Sequence, residues 1–179
     1  MRNPAMIGER IFLRPFEVDD AQLLAEAMHA ESETFMGRGR RLESPMTVEQ
    51  WMRTMYDETD EVCFAICLRQ SDECIGLIAI DHIDLINRTA ETGTRFHNPE
   101  YRGRGYGTEA KHLILEYAFH RLHLERVVSF VFEPNTRSVA ALEKQGYQTA
   151  GRIKYDDVKD GVIRDMLVFD LTYDEWLAA

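Results

Sequence analysis

Several things are scarce in this chain, and each shortage excludes a class of protein. Across 179 residues no run approaches the ~18 apolar residues of a membrane-spanning helix. The first residues, Met1-Arg2-Asn3-Pro4, lack the apolar stretch of a secretory signal, so the sequence predicts a cytoplasmic protein. Cysteine is limited to Cys63, Cys67 and Cys74. Their spacing is not C-x-x-C and no histidine lies close by in sequence, which excludes a metal site and leaves buried, reduced thiols as the expectation. Positive charge is also short: 21 Lys and Arg stand against 31 Asp and Glu, a formal net charge of −10. That balance argues against nucleic-acid binding by a broad basic face. It favours a cationic partner such as an amine, with ordinary acidity for solubility as the alternative. No internal repeat, low-complexity stretch or shift in composition divides the chain, and 45% hydrophobic residues suffice for a core, so one domain over residues 1–179 is expected.

Against that background Asn98–Lys111 stands out: N-P-E-Y-R-G-R-G-Y-G-T-E-A-K. Thr92–Phe96 before it has strand composition, and the residues after Gly107 form helices readily. A strand, a glycine-rich loop and a helix start together set free backbone N–H groups around an anion, and the helix dipole adds partial positive charge there. Glycine admits a diphosphate close to the backbone, while Arg102 and Arg104 can add charge at the rim. A P-loop would need Lys-Ser or Lys-Thr after its glycines, and a dinucleotide fingerprint would need G-x-G-x-x-G. Gly103-Arg104-Gly105-Tyr106-Gly107 satisfies neither. The alternative to a phosphate site is a tight strand-to-helix turn that merely requires glycine.

The remaining elements follow in order. Arg10–Phe16 alternates apolar and basic residues and reads as a first strand ended by Pro15. Asp19 or Asp20 offers a cap for a helix carrying Leu23, Leu24, Ala27 and Met28. Glu31–Pro45 reads as a mobile segment. Thr47 and Gln50 match a capping box for a helix with Trp51, Met52 and Met55. Val62–Arg69 and Cys74–His82 form a hairpin around Gln70–Glu73, and Ala90–His97 leads to the glycine loop. Ala110, Leu113, Ile114, Tyr117 and Ala118 lie on one helical face. Arg126–Phe132 is a strand, Asn135 caps a helix over Ser138–Lys144 closed by Gly146, and Gln148–Asp156 with Val162–Leu171 flank the turn at Asp160-Gly161.

Arg102-x-x-Gly105-x-Gly107 resembles the [QR]-x-x-G-x-[GA] pyrophosphate loop of GNAT acetyltransferases. The order β-α-α-β-β-β-α-β-α-β-β is similar to the fold of that family from about Arg10 to about Leu171. The resemblance implies a mixed, mostly antiparallel α/β sheet, splayed at an acetyl-coenzyme A site and flanked by helices. Leu13-Arg14-Pro15, Ala90-Glu91-x-Gly93, Tyr106-Gly107-Thr108-Glu109-Ala110 and Asn135-x-x-Ser138 are similar to the RimJ/RimL-type proteins, which acetylate protein N-terminal amines. Polyamine and aminoglycoside acetyltransferases share much of the pattern, so the acceptor stays open among these amines.

What the resemblance implies about the site can be stated residue by residue. Phe96, His97, Arg102, Gly103, Arg104, Gly105, Tyr106, Gly107 and Thr108 would surround the coenzyme A pyrophosphate, and Asn135 would bond the pantetheine arm. Acetyl-coenzyme A would be the acyl donor, a primary amine the acceptor, and a homodimer the assembly. The amine, near pKa ~10, must lose a proton before attack. Glu91 is the candidate base, acting through water, with a solvated strand carboxylate as the plain reading. Ser138 is the candidate to steady the sulfur, and water is its alternative. The family's tyrosine seven residues after the asparagine is absent: Leu142 stands there, and Tyr147 is expected to pack against the sheet. That gap leaves a second function class open, a non-catalytic module that binds an acyl-coenzyme A. His112 is not at i, i+4 from His120 or His123, which argues against a metal site on that helix. His97 is either a ligand contact or a solvated loop residue.

Overall fold

The computed structural model describes residues 1–30, 44–159 and 161–179. Its centre is an eight-stranded sheet in the order β1-β2-β3-β4-β5-β6-β8-β7. The strands are β1 (Met6–Ile7), β2 (Ile11–Arg14), β3 (Val62–Leu68), β4 (Cys74–Asp84), β5 (Thr89–Phe96), β6 (Arg126–Phe132), β7 (Gln148–Lys159) and β8 (Val162–Thr172). The helices are α1 (Asp20–Ala30), α2 (Pro45–Met55), α3 (Tyr106–Glu116), α4 (Thr136–Lys144) and α5 (Tyr173–Ala178). All strand pairs are antiparallel except β5 with β6.

Alternation along the strands divides the core between the two faces of the sheet. One face carries Ile66, Ile78, Ile80, Ala90 and Val127 against Ala110, Leu113 and Ile114 of α3, together with Leu142 of α4. The other carries Cys63, Ala65, Cys67, Cys74 and Ala79 against Leu24 and Ala25 of α1 and Val48, Met52 and Met55 of α2. All three cysteines are free thiols buried on that second face. A buried ion pair fixes α1 there: Arg14 donates to both carboxylate oxygens of Asp20 over 2.7 and 2.9 Å.

Four sequence expectations are corrected. The first strand is shorter than Arg10–Phe16, and the two-residue β1 pairs ahead of it, Met6 opposite Leu13. The cap of α2 is Ser44 with Thr47, not Thr47 with Gln50. Proline at position 45 drives the preceding residue into extended backbone, so Ser44 (φ −144°, ψ 163°) becomes the cap and the helix must start at Pro45. The helix after the glycine loop runs on as a π turn over Tyr117–Arg121. A further helix, α5, closes the chain, held by a reciprocal box between Thr172 and Glu175. The segment Glu31–Pro45, expected to be mobile, lies outside the described residues except for Ser44 and Pro45, as does Asp160 of the last hairpin turn.

Candidate active site: a forked sheet above a glycine loop

The feature that shapes the site is a fork in the sheet. β5 and β6 pair in parallel only at Thr89–Glu91 with Arg126–Val128. Beyond Glu91 the register between β5 and β6 ends, although the other edge of β5 stays paired with β4 as far as Phe96 opposite Gly76. β6 in turn stays paired with β8 through Phe132. The fork therefore opens toward the end of β5 that feeds the glycine loop.

At that loop Gly103 and Gly105 take φ of 72° and 85°, the left-handed region where a side chain is strained. Gly105 is the cap of α3 and no side chain caps the helix, so its first N–H groups stay available to a ligand. A Cβ on Gly107 would stand 3.2 Å from the Phe96 ring, which packs beneath the loop. The brace from the N-terminal side is not legible in the sequence. Arg10 donates through Nη1 to the Arg104 carbonyl at 2.8 Å and through Nε to Glu109 at 3.0 Å. Its guanidinium also lies 5.0 Å from the centre of the Tyr106 ring. The loop's shape is thus set by a residue about a hundred positions upstream.

The two faces of the fork carry different chemistry. Asp81 of β4 and Glu91 of β5 are register partners on the face that bears α1 and α2. Burial, with Glu61 and Glu91 nearby, pushes the Asp81 carboxyl up to about 6, against the opposing pull of His82 and Lys111. Glu91 is half-buried and its Oε2 lies 3.5 Å from His82 Nδ1. Asp81 was missed in the sequence because it sits inside an apolar strand run. Its position opposite Glu91 is visible only once the register is known.

On the opposite face, Thr92 of β5 and Ser129 of β6 bridge the gap where the strands part, with oxygen atoms 2.8 Å apart. Tyr147 and Lys111 complete a buried polar cluster with them. After β6, Asn135 accepts a hydrogen bond from the Ser138 N–H at 3.2 Å, so its side-chain oxygen does serve as the helix cap. Leu142 is buried in the core. Tyr147 packs against the sheet as expected, with its hydroxyl 2.9 Å from Thr92 Oγ1.

His97 is not a solvated loop residue. It is buried, with Nε2 at 3.5 Å from Cys74 Sγ on the α1–α2 side. Burial, reinforced by Arg95, pushes its pKa down to about 4. The structure thus sets His97 against Cys74, whereas Phe96 lies beneath Gly107. Arg102 is half-buried and Arg104 exposed at the loop. Among the described residues no group of three or more His, Cys, Asp or Glu is arranged to hold a metal, and no helix is long and apolar enough to cross a membrane. A cavity of about 390 Å³ between Phe16–Val18 and α2 shares no residue with the loop or the fork.

Comparison with known proteins gives this geometry a context. The chain is 30% identical over 168 residues to Probable N-acetyltransferase YjcK of Bacillus subtilis, covering 88% of this chain and 91% of that one. It is 26% identical over 106 residues to Spermidine N(1)-acetyltransferase of Escherichia coli, covering 59% and 56%. Its fold superposes with a TM-score of 0.84 on a chimera of spermidine N-acetyltransferase SpeG from Vibrio cholerae and hSSAT, at 22% identity over 96% of this chain and all of the other. The sequence model of the acetyltransferase (GNAT) domain matches residues 10–148, from the arginine that braces the loop through the fork to the first residue of β7. The chain belongs to the GNAT acetyltransferases.

Proposed function

We propose that this protein transfers an acetyl group from acetyl-coenzyme A directly to a primary amine. The donor would lie along the α3–α4 face of the fork and the amine would arrive from the face with Asp81 and Glu91. The observation that carries the reading is the open, uncapped start of α3 at the mouth of the fork. An N–H-lined anion site at one end and a strand edge past the β5–β6 register at the other match a long ligand with a diphosphate and an amide-bearing arm. Gly103–Thr108 and Arg102 would hold the pyrophosphate, with Phe96 packed beneath. Backbone groups of β5 on the side of the fork, with Asn135 and Ser138 after β6, would hold the arm. When bound, the donor supplies a thioester whose departing thiol has a pKa near ~8.5 and needs little help to leave.

The chain's own task is to take a proton from the amine, and the Asp81–Glu91 pair suits it. A carboxyl near 6 is ionised at neutral pH yet basic enough to accept a proton through water. The acidic surroundings of that pair, Glu61 included, favour an amine with more than one positive charge. A polyamine is therefore preferred over a peptide N-terminus. A specific observation supports a second reading, a module that binds an acyl-coenzyme A without turnover: Leu142 provides no acid where the resemblance leads one to expect tyrosine.

Thiol release from acetyl-coenzyme A separates the readings. Polyamines, N-terminal peptides and aminoglycosides are offered side by side, with coenzyme A binding followed by calorimetry. Turnover with polyamines above the others is expected. Binding without release with any amine would establish the second reading.

A further inference from the structure

The polar cluster at the fork is buried and closed, and no step derived above uses its lysine. Thr92 Oγ1 is the hub, with Lys111 Nζ at 2.9 Å, Tyr147 OH at 2.9 Å and Ser129 Oγ at 2.8 Å. The Ser129 hydroxyl donates to the Thr92 carbonyl at 2.8 Å, and Lys111 Nζ reaches the same carbonyl at 3.4 Å. Lys111 can only donate, so Thr92 Oγ1 accepts from it, while either oxygen can be the donor in the Thr92–Ser129 and Thr92–Tyr147 contacts; the Val128 carbonyl, 3.5 Å from Thr92 Oγ1, is a further acceptor. A lysine here is costly, because Lys111 is only 5% exposed and an apolar residue would fill the same place on α3 without burying an amine. Burial pushes its pKa down to about 7, opposed by Glu91 and Asp81 across the sheet, and Tyr147 faces it directly.

The cost has a structural return. Where β5 leaves β6, the Thr92 carbonyl has lost its ladder, and a strand end with unpaired groups can swing. Lys111 and Ser129 take over that carbonyl. We propose that Lys111 is a positioning residue for acyl transfer: acting through Thr92, it fixes the β5 backbone at the fork so that the strand's N–H groups past the fork hold one direction toward the thioester carbonyl. The inference rests on the acetyl-transfer reading and adds to it a residue that touches neither substrate.

The test compares wild type, Lys111→Met, Thr92→Val and the double variant by kcat, KM for acetyl-coenzyme A, coenzyme A affinity and melting temperature. A misdirected N–H edge should lower kcat by at least about tenfold in each single variant, with KM and affinity within about threefold of wild type. Lys111→Met should melt no lower than wild type, since it removes a buried amine, whereas a merely structural lysine would show the reverse. If the two residues act as one unit, the double variant should be within about threefold of the worse single one. Lys111→Met with kcat within about twofold of wild type would overturn the inference, as would deficits that multiply in the double variant. Should Lys111→Met fail to fold, Thr92→Val decides alone by the same criterion. Wild type that binds no coenzyme A overturns the acetyl-transfer reading and this inference with it. Wild type that turns over while its variants match it overturns the inference alone.

Discussion

On the proposed reading, the backbone angle at Gly105 shapes the loop that would hold the diphosphate. Gly105 sits at φ 85° as the cap of α3, and a Cβ there would stand 3.0 Å from Arg10 Nη2. Gly105→Val combines left-handed strain, a β-branched side chain and displacement of the arginine that shapes the loop. Coenzyme A affinity is expected to drop well over tenfold while the far-ultraviolet circular dichroism stays that of the wild type; calorimetry giving an unchanged affinity would remove the loop from the site. The carboxylates make a separate prediction. If Asp81 and Glu91 relay the amine's proton, Asp81→Asn and Glu91→Gln should each slow turnover at neutral pH, and the Glu91→Gln deficit should shrink as pH rises and the amine deprotonates in solution. The stability effect of Asp81→Asn has the opposite sign. A folded-state pKa raised to about 6 means stability that is present at acid pH and lost as pH rises from about 4 through about 6. Asp81→Asn should therefore be the more stable protein at pH 7 and the less active one. pH–rate profiles of both variants that match wild type would leave bulk water as the base. Residues of this kind differ in how legible they are. Glu91 and the loop glycines can be picked out because their neighbours in sequence carry the meaning. Asp81 and Lys111 cannot, because the roles proposed for them come from a strand register and from a helix facing a gap.

At the level of elements, patterning performs well wherever an element is long or has its own punctuation. β6 over Arg126–Phe132 coincides with the span read from its Val and Phe content, and the Asn135 cap forms as composition suggests. Elements that rest on tertiary partners are the ones missed. β1 is two residues long and exists because Met6 and Ile7 meet Leu13 and Phe12. α5 carries its signal in Thr172 followed three residues later by Glu175, a pattern too short to stand out without the β8 end that precedes it. Arg10 belongs to the same lesson. It reads as one basic residue of an alternating strand, yet lies just outside β2 and ties three parts of the molecule together. Glu109 accepts from the backbone N–H of Arg10 at 2.8 Å as well as from its side chain. The pair is partly exposed, so its loss should cost the fold under ~1 kcal/mol. Its effect on the loop should be larger than its effect on the fold. Arg10→Ala frees the Arg104 carbonyl and is expected to weaken coenzyme A roughly fivefold, about 1 kcal/mol, with little change in melting temperature. Weakening matched by a large drop in melting temperature would assign Arg10 to the fold instead.

For the molecule as a whole, the sheet works as a partition. On the proposed reading, its α3–α4 face would offer N–H groups and arginines to an anionic donor, and its α1–α2 face would offer carboxylates to a cationic acceptor. The net charge of −10 would repel the donor at long range, so donor binding has to depend on local backbone geometry at the loop. Attraction of the acceptor can draw on the whole field. The two substrates should therefore respond differently to salt. Raising ionic strength from about 50 mM to about 500 mM shortens the screening length to a few ångströms. The KM for a polyamine is expected to rise several-fold over that range, with kcat nearly constant. The KM for a singly charged amine should rise less, and that for acetyl-coenzyme A should stay level or fall as its repulsion is screened. Glu61→Gln should flatten the polyamine response, because Glu61 adds to the charge felt at Asp81 without being asked to accept the proton. A polyamine KM that does not change with salt would reduce the acidic surface to a matter of solubility, and the choice among acceptors would then have to come from the shape of the α1–α2 face.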